Sequence, residues 1–125
     1  MRYLVKARIK PGRAQALRRA IAAGPLGRGS IAGDEYLHHM RQARLAADGV
    51  AQWIEVCFCA EPLDEERPEW EEFFELLSVQ DAHARRNCRH ENGTVPWACG
   101  DCDCTRKLER TLATRVRPLL ESLGD

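Results

Sequence analysis

Three cysteines fall within six residues of the stretch PWACGDCDCT, at Cys99, Cys102 and Cys104. A Cys-x2-Cys spacing lets a tight turn aim two sulfurs at one ion, and Cys104 adds a third donor. Upstream, a single residue separates Cys88 from His90, so an extended chain points both to the same side. The segment thus offers four thiolates and an imidazole, enough to close a tetrahedral shell. Zinc suits these donors and needs no redox chemistry. An iron–sulfur cluster is the second choice, because the spacings are not those of the familiar ferredoxins.

Cys57 and Cys59 supply two further thiols. Strand alternation in VAQWIEVCFCA puts Ile54, Val56, Phe58 and Ala60 on one face. Trp53, Glu55, Cys57, Cys59 and Glu61 share the other. If the Ile54 face meets the helices, the cysteines look onto an open sheet face beside Glu55 and Lys6 or Arg8. A segment 88–104 folded over that face would gather all six cysteines. The plain alternative is that cysteine is often buried as a small hydrophobe. It applies to Cys57 and Cys59 in a strand more than to Cys99, Cys102 and Cys104, whose Gly/Asp-rich surroundings leave little core to fill.

The same thiols can do redox work. Cys104 stands just before the last predicted helix, whose N-terminus would favour a thiolate. Cys102 with Cys104, or Cys99 with Cys102, would then serve as attacking and resolving thiols. Against this, a thioredoxin-like CxxC follows a strand in a βαβ unit, and the context here is a loop. Other residues carry less. Adjacent His38 and His39 read as ordinary surface polar residues, and Asp81 with His83 share a strand face but have no nucleophile tied to them. Eight acids between Glu61 and Glu75, against the one base Arg67, read mostly as a solvated helix face. Glu55 and Glu61 on the open face could serve catalysis. Asn92-Gly93-Thr94 matches a glycosylation sequon that a cytoplasmic chain would not use.

These residues must be positioned by a chain of 125 residues, which suits a single domain over residues 1–125. Nineteen basic residues balance nineteen acidic ones, so no general attraction to nucleic acid or anionic membrane is expected. No signal-peptide pattern and no spanning apolar run appear, which places the chain in the cytoplasm. A reducing compartment favours metal or redox use of cysteine over disulfides. The glycine-rich stretch PLGRGSIAGDEY contains neither GxGxxG nor a Walker pattern, so a phosphate cradle has no motif support.

Alternation predicts a strand over RYLVKARIK with Tyr3, Val5, Ala7 and Ile9 on its buried face, ended by Pro11-Gly12. RAQALRRAIAAG reads as a helix closed by Gly24. The turn signal ADG predicts a hairpin between a strand near Met40–Ala46 and one over Val50–Ala60. Trp70, Phe73, Phe74 and Leu77 have helical spacing behind Pro68. VQDAHARR reads as a further strand. Thr105 caps a last helix with Leu108, Leu112, Val116, Leu119 and Leu123 in its stripe, kinked or ended at Pro118.

The βαββαβ series over residues 2–86 resembles the α+β ferredoxin-like fold. In pattern it is similar to the dimeric α/β-barrel group of muconolactone isomerases and YciI-like proteins. The resemblance implies an antiparallel sheet, a homodimer formed through the open sheet face, and a small-molecule ligand beside it. It carries over no catalytic residue. The cysteine-rich loop, 87–104, and the added C-terminal helix, 105–123, lie outside it. The expectation is a zinc domain with a structural or regulatory site. Cys88, Cys99, Cys102 and Cys104 are its ligands, His90 is an alternate, and Cys57 and Cys59 belong to the same shell. A thiol–disulfide or sulfur-transfer enzyme, and a small-molecule-binding protein with structural cysteines, are the alternatives.

Overall fold

The computed structural model describes residues 2–23, 33–57, 59–82 and 104–123. Along the chain come β1 (Arg2–Ile9), α1 (Ala14–Ala23), α2 (Gly33–Gln42), β2 (Arg44–Leu45) and β3 (Ala51–Val56). α3 (Arg67–Glu71), β4 (Phe74–Asp81), α4 (Cys104–Ala113), β5 (Arg117–Pro118) and α5 (Leu119–Leu123) follow. The strands form one antiparallel sheet in the order β4-β1-β3-β2-β5. No helix among the described residues is long and apolar enough to cross a membrane.

β1 lies inside the sheet, with β3 and β4 as its neighbours. Its alternation works as expected: Tyr3, Val5 and Ala7 are buried. Register carries that face across the sheet, because Tyr3 opposes Glu55, Val5 opposes Trp53 and Ala7 opposes Ala51. Leu17 of α1, Tyr36 and Met40 of α2, Trp70 of α3, and Leu119 and Leu123 of α5 pack on that face in one core. The aromatic centre is tight: the Trp70 ring lies 5.1 Å from Tyr36 and 5.2 Å from Trp53.

The hairpin turn is where the sequence puts it. Gly49 takes φ +84°, the Gly49 N–H reaches the Ala46 carbonyl at 3.0 Å, and Asp48 Oδ1 accepts from Val50 N–H at 3.0 Å. The strand expected near Met40–Ala46 is instead the end of α2 and the two residues of β2. Tyr36, His39, Met40 and Ala43 are all buried at i, i+3, i+4 and i+7, so helical spacing prevails there. β3 stops at Val56 rather than running to Ala60.

The helix expected through Phe73, Phe74 and Leu77 ends at Glu71, and Phe74 opens β4. Pairing of β4 with β1 from Phe74 to Asp81 supplies backbone partners that a longer helix would forgo. The predicted C-terminal helix is divided. α4 ends at Ala113, Arg117–Pro118 pair with β2, and α5 follows. Thr105 lies within α4, where its hydroxyl accepts from Arg2 Nε instead of capping the helix. The observed order therefore departs from a plain βαββαβ series in having α2 before β2 and a fifth strand beyond it.

No acidic residue precedes Asp34, and one charge of this basic N-terminal stretch meets the acidic run after Glu61. Arg13, from the basic N-terminal region, meets Glu72 at 3.3 Å and stacks its guanidinium over Phe73.

Candidate metal centre

In β3 the face expected to be open is the one that meets the core, although Ile54 on the opposite face is buried as well. Trp53, Glu55 and Cys57 look into the helix-covered core, and each is at most 1 % exposed. Trp53 and, from α3, Trp70 bring large indoles to that face, which buries much apolar surface there. Glu55 is consequently no open-face catalyst, and Lys6, opposite Gln52, lies on the other side of the sheet.

β3 ends at Val56, and bends and turns run from Ala60 to Glu66. Leu63 is fully buried within that turn and takes φ +60°, a left-handed conformation that costs a non-glycine residue about 1–2 kcal/mol. The turn brings Glu66 to Cys57. The Cys57 thiol donates to Glu66 Oε2 at 3.3 Å, and the Cys59 backbone N–H donates to Cys57 Sγ at 3.3 Å. The Leu63 backbone adds another hydrogen bond to that sulfur. Glu66 stands at the N-cap of α3 but makes no capping bond with its side chain, which turns inward instead.

Cys57, Cys59 and Glu66 thus bring one donor atom each within 4.8 Å of one another. Cys57 and Glu66 are buried and Cys59 is half-buried. Two thiolates on a tetrahedral zinc lie ~3.8 Å apart at bond lengths of about 2.3 Å, so small side-chain rotations suffice to close the shell. Burial pushes the Cys57 thiol up to about 12, with its Cys59 and Glu66 contacts as smaller influences. Burial also raises Glu66, against the lowering effect of its bond from Cys57. Tyr3 and Tyr36 stand nearby, each raised first by burial and then by these groups: Tyr3 by Cys57 and Tyr36 by Glu66. Without a metal, the pocket therefore keeps its proton on sulfur. A divalent cation can replace that proton.

Of the sequence-predicted ligands, Cys57 and Cys59 come together here. Cys88, His90, Cys99 and Cys102 lie outside the described residues, as do His83 and Asn92, and Cys104 opens α4. Glu66 was missed, having been assigned to a solvated acidic face. Its signal was nevertheless present: Leu63, Glu66 and Trp70 are buried at i, i+3 and i+7.

The chain is accordingly a small α+β domain in which Cys57, Cys59 and Glu66 form a group that can hold a metal ion. No family model, curated protein or solved structure matches it.

Proposed function

We propose that the protein is a zinc-binding domain whose metal has a structural or regulatory role. The observation that carries this reading is the convergence of Cys57, Cys59 and Glu66 from two ends of one turn, with backbone donors already directed at the Cys57 sulfur. Thiolate and carboxylate donors together suit zinc, and three of them leave one position to fill. Cys88, Cys99, Cys102 and Cys104, with His90 as alternate, are the proposed source of the remaining ligand.

Chain geometry supports that source. The Arg2 carbonyl accepts from Ala82 N–H at 2.9 Å, just after β4, and the Arg2 guanidinium reaches Thr105 at the start of α4. Arg2 pairs with Val56, the residue before Cys57. Ala82 and Thr105, which flank the segment carrying these cysteines, thus both bond to Arg2, whose strand partner Val56 precedes Cys57. The antiparallel sheet, with β1 between β3 and β4 and β3 between β1 and β2, also supports a ferredoxin-like core extended by α2 and β5. A thiol–disulfide enzyme fits Cys57 less well, because such chemistry needs an accessible thiol of lowered pKa, and this one is buried and raised.

Metal content after purification without chelator or oxygen tests the proposal, followed by cobalt substitution to count thiolates through sulfur-to-metal absorption. Stoichiometric zinc is expected, with loss of intensity in Cys57→Ser, Cys59→Ser and at least one of Cys88→Ser, Cys99→Ser, Cys102→Ser and Cys104→Ser. Folded protein that takes up neither zinc nor cobalt would overturn it. A visible band in the native protein would replace zinc by an iron–sulfur cluster.

A further inference from the structure

His39 sits near the C-terminal end of α2 with 1 % of its side chain exposed, in a position where Leu or Ile would serve packing alone. Its Nδ1 lies 2.7 Å from Glu55 Oε2 on β3, and its Nε2 lies 3.8 Å from Glu35 Oε2 one turn back on α2. The other Glu55 oxygen, Oε1, accepts from the Trp53 indole at 2.7 Å and the Trp70 indole at 2.8 Å. Glu109 of α4 adds a third carboxylate whose charge acts on the ring, and it holds His38 at 3.2 Å. The groups facing His39 are therefore Glu35 and His38 from α2, Glu55 from β3 and Glu109 from α4.

A neutral imidazole has one N–H and one bare nitrogen, while carboxylates only accept. Nδ1 stands at ion-pair distance from Glu55, whereas the 3.8 Å from Nε2 to Glu35 is too long for a hydrogen bond, so what favours the imidazolium here is chiefly charge. Glu55 in turn has little access to water, so its compensation comes from the two indoles and this ring. We propose that protonated His39 is a pH-operated latch: it holds α2 against β3 most firmly while the imidazolium faces Glu55, and its hold weakens when the ring loses its charge. The latch uses none of Cys57, Cys59 or Glu66, although its partner Glu55 lies two residues before Cys57 and its charge acts on Glu66.

The direction of the pH effect follows from the surroundings. Burial lowers the His39 pKa, but the charge and bond of Glu55, with the charges of Glu35 and Glu109, outweigh it and leave the ring above its ordinary 6.5. A folded-state value above the unfolded one means that the stabilisation is complete below 6.5 and is lost as pH rises through the raised value.

The test is an NMR titration of the histidine ring and indole N–H signals in the full chain, paired with urea midpoints across pH. His39 should titrate above 6.5, and the Trp53 and Trp70 indole signals should move with the same midpoint. Glu55→Gln should lower that midpoint by roughly one to three pH units. Glu35→Gln, at an exposed residue that leaves the core intact, should lower it by about half a unit. His39→Gln should flatten the decline of the urea midpoint with pH. A ring that titrates at or below 6.5, or indole signals that ignore its titration, would overturn the latch. Both readings come from the unmodified protein, so the proposal survives a variant that fails to fold.

Discussion

At Cys57 and Glu66 one proton stands where a metal would stand. The thiol donates it to the carboxylate at 3.3 Å, and burial raises both groups. The same feature has opposite consequences for the two states of the protein. A raised Glu66 favours the metal-free fold below its unfolded value of 4.5, and that contribution is lost as pH rises through the folded value. Glu66→Gln keeps an acceptor for the thiol and removes the charge that burial disfavours. It should leave the metal-free protein unchanged or up to about 1 kcal/mol more stable at neutral pH. The same variant should weaken zinc binding, because a carboxamide is a poorer ligand than a carboxylate. Urea unfolding with chelator present, set beside competitive zinc titration, checks both signs at once. Metal uptake should also release the Cys57 proton, so affinity should rise by about tenfold per pH unit for each proton displaced.

At the scale of elements, the Ala46–Val50 turn offers a clean case. A Cβ added at Gly49 would meet nothing within 4 Å, so only its φ of +84° resists substitution. Gly49→Ala should destabilise by about 1 kcal/mol in chemical denaturation, and Gly49→Asn by less. Trp70→Phe removes one donor from buried Glu55 and keeps most of the ring, so it should cost about 1–3 kcal/mol. The turn was legible in the sequence for the same reason that it is testable: its cause is local. β1 and α1 were legible likewise, through alternation and helical spacing confined to a few residues. The elements that escaped depend on distant partners. Trp70, Phe73, Phe74 and Leu77 satisfy a helical stripe, yet Phe74 also begins a run that β1 can pair, and the ladder prevails. Which face of β3 is buried was likewise not decided by polarity, since Glu55 is carried inside by His39 from α2 and two indole donors. Cys57 and Cys59 could be paired by their spacing, whereas Glu66 reaches them only through a left-handed residue at Leu63.

For the molecule as a whole, the candidate metal centre and the core would hold different parts together. The core joins β1, β3 and β4 to α1, α2, α3 and α5 through Val5, Trp53, Phe74, Leu17, Tyr36, Trp70 and Leu119. The candidate centre lies at one end of that arrangement, where β3 runs out and α3 begins. α3 spans only Arg67–Glu71, too short to persist without Trp70 in the core and Glu66 held at its start. Zinc at a hundredfold excess over its dissociation constant would add about 2.7 kcal/mol to the folded state. Chelation should therefore lower the unfolding midpoint in proportion to the logarithm of free zinc. Its local effect should be uneven. Amide hydrogen exchange should speed at Cys59 and Arg67, whose N–H groups bond within the Cys57–Glu66 turn, while Val5 and Trp53 in the β1–β3 ladder keep their protection. Uniform loss of protection on chelation would instead mean that the core depends on the metal, and no change anywhere would count against a metal at this turn.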